Sequence, residues 1–153
     1  MKVLVKYLLM FCLLTVFGNS YAQPSKPIAQ NNSSNWNKLT PQEENIIVKK
    51  GTEMPYTGKL LHNEAKGTYL CRRCNAPLFT SVSKFDSGTG WPSFDDEIKG
   101  AVKRIPDPDG MRTEIECAKC GGHLGHVFLG ERITPKNTRN CVNSVSIAFR
   151  PSK

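Results

Sequence analysis

Two Cys-x-x-Cys pairs, Cys71/Cys74 and Cys117/Cys120, stand 42 residues apart in this chain. No other feature constrains the fold as strongly. Each pair is short enough to form a tight knuckle that presents two thiolates to one ion. Two knuckles close a tetrahedral four-sulfur site, so the spacing predicts that two distant stretches of chain meet. Asn75 follows the first pair and Gly121-Gly122 the second, residue types that accept the positive φ such a knuckle needs. Two other readings stay open on spacing alone. An exported protein can spend the four cysteines on disulfides. A Cys-x-x-Cys can also be a thioredoxin-type redox pair, although neither pair here opens a convincing helix after a strand. Read as metal, the site takes one structural zinc. A closed four-sulfur site has no open position, so the ion braces the fold rather than performing chemistry.

The start of the chain reads as a secretory signal, residues 1–22. Lys2 and Lys6 give a positive beginning, Leu8 to Phe17 is mostly apolar, and Ser20-Tyr21-Ala22 places small residues where a signal peptidase inspects them. The apolar run is shorter than the roughly 20 residues of a membrane span. The expectation is therefore export, periplasmic or secreted, with no stable membrane association after cleavage. Retention of the leader as an anchor is the competing reading. Residues 23–38, rich in Gln, Asn, Ser and Pro, carry too little apolar surface to order themselves and read as a flexible linker. The folded domain is expected over 39–153. The formal charge is +8, and losing Lys2 and Lys6 with the leader leaves +6. The basic residues occur singly or in pairs, with no long block, which favours solubility over nucleic-acid binding.

One helix is well signalled. Thr40-Pro41-Gln42-Glu43 combines an N-cap threonine, a proline at the first helical position and a capping-box glutamate. Ile46 and Ile47 supply its apolar side, and Gly51 is expected to end it. After Gly58 the pattern turns to short β-type segments punctuated by Gly, Pro, Asn and Asp. Strands are expected over 67–71, 76–80, 101–105, 112–117, 124–129 and 141–149. The last alternates Val145, Ile147 and Phe149 with small polar residues. The fold class is mainly β and antiparallel, with a short N-terminal helical region.

The metal knuckles leave Cys12, which falls in the leader, and Cys141. A lone thiol in the mature chain is a candidate nucleophile. Cys141 lies in RNCVNS (139–144), between Arg139 and Asn143. On a strand these three side chains share a face. A cation there would favour the thiolate, and the amide can hydrogen-bond a substrate oxygen. HLGHVF (123–128) adds His123 and His126, of which His126 can hold a proton near neutral pH and act as an acid. SKFDSGTGWPSF (83–94) adds Trp91 in a glycine-rich turn. Each has a plainer alternative. A lone cysteine can be a core filler, His123 can brace or compete at the metal knuckle, and Trp91 can be ordinary core.

Taken together, SKFDSGTGWPSF, HLGHVF, RNCVNS, GTEMPYTG (51–58) and the paired knuckles resemble the B-type peptide-methionine (R)-S-oxide reductases, from about Leu39 to Phe149. The resemblance implies two antiparallel sheets, a β-tent, with zinc on Cys71, Cys74, Cys117 and Cys120. It implies that Cys141 is catalytic, attacking the sulfoxide sulfur and becoming a sulfenic acid, while His126, His123 and Asn143 polarise or protonate the departing oxygen. Trp91 would wall the ε-methyl pocket, with Arg139 and Phe128 completing the substrate site. The substrates implied are oxidised proteins. The chain departs from the pattern at Thr89, where many relatives carry a resolving cysteine, so the sulfenic acid needs an outside reductant, a thioredoxin-like protein or a small thiol. Asn140, often aromatic in relatives, is a second departure expected to change the pocket rim. The alternative to an enzyme is a non-catalytic zinc-ribbon binding module, which would need an exposed basic or aromatic face.

Overall fold

The computed structural model describes residues 36–108 and 110–153. The expected signal segment, Cys12 and the linker up to residue 35 lie outside the described residues. Helix α1 spans Pro41–Ile47 and carries the expected capping box. Thr40 Oγ1 accepts from the Glu43 amide, and the Glu43 carboxylate accepts from the Thr40 amide at 2.8 Å. The helix is shorter than expected. It stops at Ile47, and the residue that turns left-handed after it is Lys50 (φ 59), not Gly51. Gly51 serves another need: a Cβ there would sit 2.9 Å from the Asn45 carbonyl oxygen.

Among the described residues, nine strands form two antiparallel sheets. They are β1 (Gly67–Cys71), β2 (Pro77–Thr80), β3 (Lys84–Phe85), β4 (Ser93–Phe94), β5 (Val102–Pro106), β6 (Thr113–Cys117), β7 (His123–Leu129), β8 (Thr138–Val142) and β9 (Ile147–Pro151). The smaller sheet has the order β2-β1-β9 and the larger β3-β4-β8-β7-β6-β5. Side chains from both sheets meet in one core. Phe79 stacks on Phe94 with centroids 4.4 Å apart, and Tyr69 meets Phe94 edge-on at 4.9 Å. Leu78, Ile115, Leu124 and Val142 are fully buried around them.

The segment 141–149 is not one strand. The ladder stops at Val142, a 3-10 turn occupies Ser144–Ser146, and β9 resumes in the other sheet. The cause is a competing hydrogen-bond partner. The buried Glu53 carboxylate accepts from the amides of Ser144 and Val145, so these amides are withdrawn from any ladder. Alternation of apolar residues could not reveal a carboxylate some ninety positions away.

The two knuckles have the same local geometry. Asn75 N donates to Cys71 O at 2.9 Å and Gly121 N to Cys117 O at 2.8 Å. Asn75 and Gly121 take φ 59 and 67, as their types allow. Cys71 ends β1 and Cys117 ends β6, so the four sulfurs join one sheet to the other. Sγ of Cys71 lies 3.6 Å from Sγ of Cys120, and Sγ of Cys74 lies 3.6 Å from Sγ of Cys117. Packing on the domain starts at Trp36, inside the stretch read as linker. The Arg73 guanidinium lies 3.7 Å over the Trp36 ring, and Asn37 bonds Arg73 O, Arg72 O and Asn75. Among the described residues, no helix is long and apolar enough to cross a membrane.

Replacing one knuckle thiol, Cys74→Ser, should drop bound metal well below one ion per chain by elemental analysis. Loss of several kcal/mol of metal-linked stability should lower the melting temperature by more than about 10 °C. Unchanged melting with metal absent would remove the ion from any structural role.

Candidate active site

The site is a row across the larger sheet. Cys141 on β8 is directly opposite Ser93 on β4 and His126 on β7, and His126 is opposite Glu114 on β6. Opposed residues in an antiparallel pair face the same way, with Cβ atoms about 4.5–5.5 Å apart. Sheet register therefore brings the thiol and the imidazole together. Gly125 lets the backbones close at this point. Its φ is 152, and a Cβ built there would overlap the carbonyl oxygen of Cys141.

Above the row is a cavity of about 130 Å³ lined by Trp91, His126, Phe128, Cys141 and Asn143, with Thr52 and Arg112 at its edge. The structure thus gathers five of the expected residues. Trp91 is fixed by its indole N–H, which donates to Glu53 O at 3.1 Å. Asn143 lies beyond the end of β8, so a shared strand face is not what brings it to Cys141. Its Oδ1 accepts from Glu53 N at 3.0 Å and its Nδ2 donates to Leu124 O at 3.1 Å. That amide carries a second N–H.

Arg139 and His123 stand behind the cavity lining. Arg139 is buried, makes two 2.8 Å bonds to the Glu131 carboxylate, and lies 4.2 Å from the centroid of Phe128. It packs on Phe128 and acts on Cys141 both by its charge and by a hydrogen bond to the sulfur. His123 is 2% exposed. Its ring meets that of His126 nearly edge-on, centroids 5.7 Å apart, and Nδ1 lies 2.6 Å from Glu114 Oε1. Asn140 is wholly buried, donates to Phe94 O at 3.1 Å, and is away from the pocket rim where its difference from relatives was expected to matter.

Two electrostatic expectations change. Burial pushes the Cys141 thiol above its ordinary value, and the opposing pull of Arg139 and a hydrogen bond from Thr89 does not reverse this. Glu131 neutralises much of the arginine and itself disfavours the thiolate. The resting residue is a thiol, not the thiolate that its basic neighbour predicted. His126 is pushed down, first by burial and then by the Arg112 charge, against a raising influence from Asp107 at 3.4 Å. It is neutral at pH 7, so any acid role requires protonation coupled to substrate binding.

Glu53, which no motif singled out, and Thr89, noted only as standing in place of a resolving cysteine, both bear on the site. Glu53 is 6% exposed, and its carboxyl is raised by burial against the hydrogen bonds from Ser144 and Val145. Through backbone and side chain it reaches Trp91, Asn143 and the turn after β8. Thr89 belongs to a hydroxyl cluster in which Ser87 Oγ lies 2.8 Å from both Thr89 Oγ1 and Ser93 Oγ.

The SelR domain model matches residues 39–151. The chain is 46% identical over 143 residues to peptide methionine sulfoxide reductase B3 of Arabidopsis thaliana, covering 92% of this chain and 81% of that protein. It is 54% identical over 115 residues to peptide methionine sulfoxide reductase B5 of Oryza sativa subsp. japonica, covering 74% and 85%. It is 50% identical over 119 residues to peptide methionine sulfoxide reductase MsrB of Leptospira interrogans serogroup Icterohaemorrhagiae serovar Lai (strain 56601), covering 75% and 90%.

Cys141 alkylation by iodoacetamide should climb with pH past the ordinary thiol range, because the thiol in the fold ionises later than a free one. Thr89→Val removes a donor to the thiolate. It should move the midpoint further up and slow alkylation at pH 8 by about 3- to 10-fold, the worth of one hydrogen bond. Thr89→Ser should restore the rate. A wild-type midpoint below that of a free thiol would contradict the burial effect.

Proposed function

The chain belongs to the SelR domain family and is an oxidoreductase of the peptide methionine sulfoxide reductase B type; from that premise we propose that Cys141 reduces the R epimer of protein-bound methionine sulfoxide by way of a sulfenic acid. The observation that carries the reading is the opposition of Cys141 and His126 beneath a cavity with one apolar wall, Trp91 and Phe128, and one amide donor, Asn143.

The reaction runs as follows. Cys141 gives up its proton, and its sulfur attacks the sulfoxide sulfur. The oxygen, held by Asn143 and protonated from the His126 side, moves to Cys141. Two electrons pass from the cysteine sulfur to the methionine sulfur. Methionine leaves, and Cys141 carries S–OH. A reductant thiol then attacks Cys141 Sγ and expels water, leaving a mixed disulfide, and a second thiol releases Cys141 as a thiol. Thr89 has no sulfur with which to close an internal disulfide, which supports an external donor, a thioredoxin-like protein or a small thiol. The raised thiol pKa fits a nucleophile that ionises once the substrate's dipole and a protonated His126 are beside it. Methyl and oxygen of a sulfoxide cannot exchange places between the indole wall and the Asn143 amide, so one epimer is selected.

The residues at the knuckles fit one zinc. Four mutually close sulfurs 3.6 Å apart in pairs approximate the edges of about 3.8 Å expected for a tetrahedron with 2.3 Å bonds. The same separation is far beyond a disulfide of about 2.05 Å. Bound there, zinc supplies a cross-link between the sheets. Burial of all four sulfurs supports a structural assignment. The charged, apolar and small residues of positions 1–22 support export of the enzyme, with oxidised proteins outside the cytoplasm as substrates.

Cys141→Ser should abolish turnover of methionine (R)-sulfoxide in a dithiothreitol-driven assay, and the wild type should leave the S epimer untouched. Full activity in the serine variant would assign the nucleophile elsewhere. Trp91→Ala should raise KM at least about tenfold through loss of the methyl wall.

A further inference from the structure

The segment in front of α1 is bound to the first thiol knuckle. Asn37 N donates to Arg73 O at 2.8 Å, and Asn37 Nδ2 donates to Arg72 O at 2.7 Å. The side-chain amides of Asn37 and Asn75 also bond each other in both directions, at 2.9 and 3.1 Å. Arg72 and Arg73 are the two residues between Cys71 and Cys74, and Asn75 is the left-handed residue that follows. A single asparagine thus takes both inner carbonyls of the knuckle and the side chain that closes it. Further along, Arg72 Nε bonds the Glu43 carboxylate in the first turn of α1 at 2.5 Å. The segment is therefore tied to the knuckle at both ends.

Arg73 carries the contact across to the second knuckle. Its guanidinium lies 3.7 Å over the Trp36 ring, and its Nη1 reaches to 3.4 Å from Cys120 O. Trp36 packs against the core cluster that contains all four knuckle thiols. Cys71 and Cys117 are sealed, at 0% and 1% exposure, whereas Cys74 and Cys120 keep 6% and 5%. Arg73 adjoins the first of these two more open thiols in sequence and touches the backbone of the second. A closed four-sulfur site exchanges its ion only after a ligand has let go and a competitor has entered. For Cys71 or Cys74 to let go, the turn that carries them must open, and Asn37 fixes the carbonyls of that turn.

We propose that Trp36 and Asn37, with Arg73, form a strap that holds the first knuckle shut over the metal site, so that exchange of the ion waits on the strap's lifting. Lifting it is a local opening of a few contacts, far smaller than unfolding the domain, and it can therefore set a rate of its own. The proposal rests on the zinc reading of the knuckles and not on the reduction at Cys141.

The test mixes the zinc-loaded full chain with an excess of a chromogenic chelator at neutral pH, well below the melting temperature, and follows zinc transfer. Trp36→Ala and Asn37→Ala should each speed transfer about tenfold or more, the worth of one cation–π contact or of two hydrogen bonds. Trp36→Phe keeps an aromatic face for the guanidinium and should stay within about threefold of the unmutated protein. Transfer within about twofold of the unmutated rate in either alanine variant would overturn the proposal. Alkylation of Cys141 serves as the reading of the rest of the domain, and its rate should stay within about twofold in every variant. If alkylation rose in step with zinc transfer, the variants would be loosening the whole domain, and the strap as a separate device would be overturned. Protein purified with its knuckle thiols intact but without zinc would instead defeat the metal reading on which the strap depends.

Discussion

The gathering of four thiols where the two sheets meet is the constraint on which the remaining geometry depends. Cys71 closes β1 of the small sheet and Cys117 closes β6 of the large one, and all four sulfur atoms lie within 4.8 Å of one another. A domain this small, with a single seven-residue α-helix among the described residues, has few other ways to hold two sheets together. Once they are held, the chain can leave β8, turn at Asn143–Ser146, and enter β9 in the opposite sheet. That crossing places Asn143 over the cavity. It also opens the space that the Glu53 carboxylate fills.

The site is a compromise between reactivity and burial. A thiol useful for nucleophilic attack gains from being a thiolate, yet a pocket that receives a thioether must be dry, and dryness favours the neutral thiol. The nearest cation does not settle the contest, because Arg139 is bound at both ends of its fork by Glu131 and braces Phe128 as well. His126 is subject to the same burial and is neutral for it. Cys141 and His126 therefore both rest in their uncharged forms. Part of what makes this workable lies behind the lining, where Glu53 holds Trp91 and Asn143 by its backbone.

Much of this was legible in local patterns. The capping box of α1, the positive φ of Asn75 and Gly121, and five of the six expected strand segments correspond closely to the structure, because each depends on neighbours within a few residues. The grouping of Trp91, His126, Phe128, Cys141 and Asn143 was anticipated from motifs. What the motifs did not carry is the place of each member. Arg139 and His123 looked equivalent to their neighbours in the same short strings, yet neither lines the cavity, and Arg139 bears on it through the Cys141 sulfur. The break in 141–149 also had no local sign, since apolar alternation continues across it while a distant carboxylate takes the amides.

The division follows from the range of the forces involved. Ligand spacing in the knuckles, helix capping, turn conformations and the identity of the lone thiol are short-range matters, decided by residue type and separation along the chain. Which side chains become neighbours across strands, and which charges are cancelled before they reach the thiol, are matters of register and burial. Glu114 is nine residues from His123, 64 from Lys50 and opposite His126 on the next strand. Only the folded sheet brings them together, and only their removal from water makes those few hydrogen bonds strong.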